Sequence, residues 1–353
     1  MKIKRRKSRK IFVGSVAIGG NSPITIQSMT STDTKDIKAT VRQIKALELA
    51  GVQIIRVAVL DSDAAIAISK IKKKINIPIV ADIHFDYRLA LLAIENGADK
   101  IRLNPGNIEK PWQIEAVLKA AIKNKVPIRI GLNSGSVKRT KKNIVDDMIA
   151  AAVSYEKIFK KYNFKDMIFS FKTHDVLSTI EAYRKFAKLN DVPLHLGVTS
   201  AGLEASGLVK SSIGIGALLL EGIGDTLRVS LTADPIKEVQ AGKNILSALG
   251  LRSEGIEIIS CPTCGRCTIN LIEVVEQAVK AFEPLQKKYA NRKLKVALMG
   301  CIVNGPGEAR EADIGIAWGG KSGILFKKGK KIKNIDKHAL IKTLVAEVEN
   351  EVV

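Results

Sequence analysis

Alternating strand and helix patterns predict an α/β chain: an N-terminal (β/α)8 barrel of the TIM type, then a small α+β domain. Three observations carry this. Eight short β-type runs recur, each followed by a stretch with apolar residues at helical spacing, often closing on Gly. Strands separated by helices pair in parallel, and eight such units in roughly 230 residues suit a closed barrel. Near residue 250 the pattern changes to one helix, closely spaced strands and a final helix. A doubly wound open sheet is the alternative that periodicity alone leaves.

The eight runs are "ITIQSM" (24–29), "IIRVAV" (54–59), "IPIVADI" (77–83), "KIRLN" (100–104), "PIRIGLN" (127–133), "MIFSFK" (167–172), "PLHLGVT" (193–199) and "TLRVSL" (226–231). Segments such as "DIKATVRQIKALELAG" and "DYRLALLAIENGA" supply the helices. The polar "GLRSEG" marks a boundary, giving a barrel over 1–253 and a second domain over 254–353. That domain reads as strand "GIEIIS", helix "NLIEVVEQAVKAFEPLQKKY", strand "KVALMG", turn "CIVNGPGEA", strands "DIGIAW" and "GILFKKG", and helix "KHALIKTLVAEVENEV".

Composition narrows the class. No apolar run in the 353 residues is long enough to span a bilayer, so no membrane association is expected. The basic start "MKIKRRKSRK" has no apolar segment after it, which argues against a secretory signal and for a cytoplasmic protein. Four cysteines in such a chain favour metal or redox chemistry over disulfides. The net charge of +22 invites a nucleic-acid reading. Against it, aromatic residues are few and none interleaves with the basic runs as base stacking requires. An anionic substrate against a background of solvated lysines fits better.

Side chains alternate along a strand, so residues two apart share a face. On that parity Arg102 goes with Asn104, Arg129 with Gly131 and Asn133, and Ser170 with Lys172. His195 goes with Gly197 and Thr199, and Arg228 with Ser230 and Thr232; Arg56 sits in the second run. Apolar residues hold the other parity, facing the helices, so the cations are expected inside the barrel near its C-terminal mouth. Unpaired buried cations are costly. Asp82 and Asp225 are expected to neutralise some, and a phosphate or diphosphate the rest. "NSGS" (133–136) and "GIGDT" (222–226) are turns able to present N–H groups to an anion. His84 in "ADIHF" is an acid/base or hydrogen-bonding candidate.

"CPTCGRC" places Cys261, Cys264 and Cys267 within one turn-rich stretch, and Cys301 opens "CIVNGPGEA" with Glu308 close behind. Gly305 and Gly307 are expected to let the backbone turn tightly there. The spacing admits a structural zinc, a cluster on all four cysteines, or a cluster on Cys261, Cys264, Cys301 and Glu308 with Cys267 spare. A carboxylate is a harder, weaker iron ligand than thiolate, so iron held by it could exchange it for a substrate oxygen. Spacing does not separate the two cluster readings.

The order of "PITIQSMT", "VADIHFDYR", "LNPGNI", "PIRIGLNSGS", "PLHLGVT", "EGIGDTLRVSLTADP", "CPTCGR" and "CIVNGPGEA" resembles the 4-hydroxy-3-methylbut-2-enyl diphosphate synthase family in its compact bacterial two-domain form. The resemblance covers nearly the whole chain. It implies a two-electron reductive ring opening and dehydration of 2-C-methyl-D-erythritol 2,4-cyclodiphosphate, in the methylerythritol phosphate route to isoprenoids. It further implies a [4Fe-4S] cluster on Cys261, Cys264, Cys301 and Glu308, with Cys267 outside the matched motif. Ferredoxin or flavodoxin would supply electrons to a homodimer in which one subunit's cluster domain caps the other's barrel. Arg56, Arg102, Asn104, Arg129, Asn133, Lys172, Thr199, Arg228 and Ser230 would bind substrate, with His84 and Glu308 in the chemistry. One departure stands out: the family's T-E-A-G is here Thr199-Ser200-Ala201-Gly202, so Ser200 replaces a glutamate implicated in catalysis. A serine is no carboxylic acid, and Ser200→Glu is expected to raise the rate. A different class of function, a non-catalytic cluster or zinc protein binding RNA through its basic N-terminal segment, would leave the inward arginines without a role.

Overall fold

Eight parallel strands surround a polar interior in the computed structural model, which describes residues 3–104, 108, 110–140, 143–199, 202–252, 255–286, 289 and 293–351. The chain divides into two units, Met1–Arg252 and Ser253–Val353. The first opens with a hairpin, β1 (Ile11–Val13) and β2 (Val16–Ile18). The barrel follows as β3 (Thr25–Met29), α1 (Ile37–Leu49), β4 (Ile54–Val59), α2 (Ser62–Lys72), β5 (Ile79–Ile83), α3 (Tyr87–Glu95), β6 (Lys100–Leu103) and α4 (Pro111–Asn124). It continues as β7 (Ile128–Asn133), α5 (Ile144–Lys161), β8 (Met167–Lys172), α6 (Val176–Ala187), β9 (His195–Leu196), α7 (Glu204–Leu220), β10 (Thr226–Leu227) and α8 (Pro235–Ala248). The sheet order is β8-β7-β6-β5-β4-β3-β10-β9, and a bridge between Phe169 and Leu194 joins its two ends.

Local chemistry explains the elements. Helices α1, α2, α3, α5, α6 and α8 each begin after an Asp or Asn whose side chain accepts a first-turn N–H. The strands obey their alternation. Ile55, Val57, Ile79, Ala81, Ile83, Ile101, Leu103, Ile128, Ile130 and Leu132 enter the core shared with the helices. The opposite parity, with Arg56, Asp82, Lys100, Arg102 and Arg129, faces inward.

The sequence reading missed the hairpin. Ile11, Val13 and Ile18 pack with Ile54, Val80 and Ile168, the inward residues at the starts of their strands, and so plug the barrel's N-terminal end. Two strands are shorter than expected: β9 stops at Leu196 and β10 at Leu227, so Thr199, Arg228 and Ser230 lie on irregular chain past the strand ends.

The second unit holds β11 (Gly255–Ser260), α9 (Leu271–Phe282), β12 (Lys293–Met299), α10 (Gly305–Arg310), β13 (Ile314–Gly319), β14 (Ser322–Lys327), β15 (Lys330–Asp336), a 3-10 turn (Lys337–Ala339) and α11 (Leu340–Asn350). Its sheet runs β11-β12-β13-β14-β15, parallel through β13 and antiparallel thereafter. Helices α9 and α11 cover one face with Val296, Leu298 and Trp318. Ala309 of α10 packs on the other face with Ala297, Met299 and Ala317. The added strand β15 and the helix α10 are features that the sequence reading lacked.

Candidate active site

Asp82 sits fully buried on β5 between two arginines. Arg56 Nη2 of β4 reaches its Oδ2 at 2.5 Å, and Arg102 Nη1 of β6 reaches its Oδ1 at 3.2 Å. His84 Nε2, just beyond β5, lies 3.3 Å from Oδ2. Register explains the grouping, since Asp82 pairs across the sheet with Ala58 and Arg102, and Arg102 with Arg129. Burial pushes the Asp82 carboxyl up, but the charges of Arg56, Arg102 and His84 prevail and hold it well below the usual range.

Two of the remaining cations, Arg129 and Lys172, lack such a partner among the described residues. Arg129 is 1% exposed, and its Nε and Nη1 find no hydrogen-bond acceptor. Lys172 ends β8 beside Asn133, which ends β7. Among the described residues no carboxylate lies within ion-pair distance of Arg129 or Lys172. Burial, and then the neighbouring arginines, hold both their pKa values well below the ordinary ones. Two glycines make room: a Cβ at Gly131 would lie 2.6 Å from Arg102 Nε, and one at Gly197 2.6 Å from Lys172 Nζ. Asn104 follows β6 and accepts a hydrogen bond from Ser136 Oγ at 2.9 Å, tying the loops after β6 and β7 together. Arg228 reaches Met29 Sδ at 3.6 Å and Glu238 Oε2 at 3.5 Å. Thr199 and Ser230 are half-buried beyond β9 and β10. Ser200 lies outside the described residues.

Several expectations need correction. Not all the cations stand at strand ends: Arg129 is the second residue of β7, deep in the barrel. Asp225 serves the opposite end, where it accepts from Arg5 at 3.2 Å and Ser8 at 2.7 Å. The "GIGDT" turn is there too, ahead of β10, with Gly222 O accepting from Arg6 N. Arg6 also donates to Asn190 O and Val192 O, and Arg9 pairs with Asp191. These arginines fasten the N-terminal segment to the barrel base, so they are not free for a nucleic-acid backbone.

A deeper polar layer holds His195, which the sequence reading set on the inward face, and Lys100, which it passed over. Lys100 is fully buried, and Gln27 Oε1 lies 3.3 Å from its Nζ. His195 is fully buried with Nε2 unpartnered. Lys100 shares Arg102's parity, a signal present in the sequence. Glu238, 5% exposed on α8, had no such signal, since an acid in a helix's first turn reads as ordinary.

In the second unit the cysteines cluster around the ends of β11 and β12. Gly300 N donates to Cys261 Sγ at 3.3 Å. The backbone N–H of Arg266 holds the Cys264 thiol below its ordinary pKa, and those of Asn304 and Val303 do the same for Cys301. Cys267 differs. Its Sγ donates to Ile269 O at 3.1 Å and packs where a Gly300 Cβ would stand. Glu308 is exposed on α10, near Cys301 in sequence. Gly305 is needed for packing rather than for a turn: its Cβ would lie 2.8 Å from Met299 Cβ, while one on Gly307 would meet nothing within 4 Å. Among the described residues no three His, Cys, Asp or Glu side chains gather around a single-ion site. An iron–sulfur cluster asks for something else, thiolates each on its own iron, and the thiolate-favouring surroundings of Cys264 and Cys301 suit that donor chemistry.

A barrel with buried inward cations, followed by a cysteine-bearing sheet domain, defines a two-domain α/β protein. The GcpE TIM-barrel domain matches residues 8–243 and the GcpE protein C-terminal domain residues 257–350. The chain belongs to the GcpE family, which implies an iron–sulfur enzyme. It is 52% identical to the 4-hydroxy-3-methylbut-2-en-1-yl diphosphate synthase (flavodoxin) of Caldanaerobacter subterraneus, over 99% of each chain. It is 50% identical to the protein of that name from Thermodesulfovibrio yellowstonii, over 98% of this chain and 99% of that one. The barrel fold also resembles a dihydropteroate synthase from Stenotrophomonas maltophilia, at TM-score 0.53 and 15% identity over 68% of this chain and 98% of that one. No described helix is long and apolar enough to cross a membrane.

Proposed function

We propose that this chain is a 4-hydroxy-3-methylbut-2-enyl diphosphate synthase, a flavodoxin-dependent oxidoreductase of isoprenoid biosynthesis acting in the cytoplasm as a homodimer. Its substrate is 2-C-methyl-D-erythritol 2,4-cyclodiphosphate, which takes up two electrons and two protons, opens its ring and loses water. The family and its full-length relatives support the reaction. The observation that carries the site is the pairing of buried Asp82 with Arg56 and Arg102 beside Arg129 and Lys172, which have no carboxylate partner among the described residues.

The charges fit this chemistry. The cyclic diester carries one ionised oxygen per phosphorus, and ring opening leaves a terminal phosphoryl group able to carry a second. Cations without carboxylate partners stabilise such charge as it develops, in a site where water screens poorly. Asp82 keeps Arg56 and Arg102 fixed, so they need no reorganisation. Asn104, Asn133, Thr199 and Ser230 add neutral donors. His84, 3.3 Å from Asp82, is the acid/base candidate of the mouth. The cysteine set suits a [4Fe-4S] cluster held by Cys261, Cys264, Cys301 and Glu308, with Cys267 structural. Such a cluster supplies the two electrons singly.

The test compares Arg102→Ala with wild type, both cluster-loaded and anaerobic, in turnover of the cyclodiphosphate with reduced flavodoxin. Turnover should fall about a hundredfold or more while cluster absorbance is unchanged. Undiminished turnover in Arg102→Ala, or none in fully loaded wild type, would sink the reading.

A further inference from the structure

We propose that Glu238 is a positioning residue that aims Arg228 into the barrel mouth; this rests on the diphosphate reading above. The need for it follows from β10. That strand stops at Leu227, so Arg228 begins an irregular run without continuous ladder bonds. The run is tied by Arg228 N to Leu196 O at 3.0 Å and by Thr232 N to Gly202 O at 3.1 Å. Between these ties, Glu238 meets it twice. Its Oε1 accepts from Leu231 N at 2.9 Å, and its Oε2 stands 3.5 Å from Arg228 Nη2.

The platform is rigid. Helix α8 is started by Asp234, whose side chain accepts from Ile236 N, and by Pro235. Val239 and Leu246 are buried in the barrel core, and a Cβ at Gly242 would stand 3.1 Å from Leu227 Cδ1. One carboxylate thus bridges a fixed helix, the loop backbone and a guanidinium. The alternative, that Glu238 only lowers local charge, predicts the opposite sign. Removing a negative charge beside an anion site tightens anion binding, whereas losing the aim of Arg228 weakens it.

Cyclodiphosphate and, separately, inorganic diphosphate would be titrated calorimetrically into cluster-loaded wild type, Glu238→Gln, Glu238→Asp, Arg228→Ala and the Glu238→Gln/Arg228→Ala double variant. In Glu238→Gln the amide oxygen can keep the Leu231 bond while its NH2 confronts Arg228. Binding should weaken about tenfold in that variant, and the same change should cost less than about twofold once Arg228 is absent. Glu238→Asp keeps the charge but shortens the reach, so it should weaken binding too; it reads position alone should the Gln variant not fold. Binding that is tighter or unchanged in Glu238→Gln and Glu238→Asp would overturn the proposal, as would equal weakening with and without Arg228. Wild type that takes inorganic diphosphate but not cyclodiphosphate would overturn the function reading instead, and the coupling would still be read on inorganic diphosphate.

Discussion

Asp82 decides how the mouth's charges are arranged, and its protonation has a readable signature. Its ordinary pKa is 3.8; burial would raise it, yet Arg56, Arg102 and His84 hold it lower in the folded chain. A carboxylate depressed on folding contributes stability that is fully present above its unfolded pKa and is lost as pH falls below that value toward the folded one. Urea unfolding of wild type should therefore lose stability more steeply below pH 3.8 than unfolding of Asp82→Asn. At neutral pH the variant should be less stable by about 3 kcal/mol, because buried Arg102 and half-buried Arg56 are left facing a neutral amide. Parallel pH slopes for the two proteins would refute this. Residues of this kind were half legible. Strand parity placed Arg102, Arg129, Lys172 and His195 inward from sequence alone, but said nothing of depth, and Lys100 on the same parity as Arg102 was passed over. Glu238 was invisible because its role arises from the early end of a strand on another element.

At the level of elements, strands rich in β-branched residues and bounded by helices were legible; what failed depended on pairing. The run "TLRVSL" alternates like a strand to its end, yet only Thr226 and Leu227 pair. The hairpin of β1 and β2 has three-residue strands, too short for a period, and its purpose is set by Ile54, Val80 and Ile168 far along the chain. Helix α10 was read as a turn because two glycines and a proline make up half of its six residues. Its two glycines now separate by environment. Gly305→Ala would force a methyl group against Met299 and Ala317, shifting α10 and the N–H groups that face Cys301, at a cost of about 1–3 kcal/mol. Gly307→Ala adds a methyl into open space and exchanges Gly for a better helix former, for a gain of up to about 1 kcal/mol. Iron and sulfide analysis after reconstitution should therefore show reduced loading in Gly305→Ala and full loading in Gly307→Ala. Equal loading would mean that α10 does not support the cysteine loop.

For the molecule as a whole, the +22 charge poses one question: does the lysine-rich surface recruit substrate, or is it solvated background beside a locally charged mouth? The structure separates the two sources. Arg102, Arg129 and Lys172 are walled off by the barrel, where water screens little, while Lys73 and Lys74 stand exposed after α2, toward the barrel's N-terminal end. At physiological salt the Debye length is about 8 Å, so exposed charges farther than that from a ligand's path are largely silent. Replacing Lys73 and Lys74 together by Gln should then leave kcat/KM for the cyclodiphosphate within about twofold at that salt, with Tm little changed. Lowering ionic strength to about 0.01 M extends the Debye length to about 30 Å and should raise wild-type kcat/KM, while kcat, set after binding, stays put. If the double variant lost most of its kcat/KM at physiological salt, the surface lysines would be part of how the enzyme gathers its substrate. The barrel would then be only the end of a longer electrostatic path.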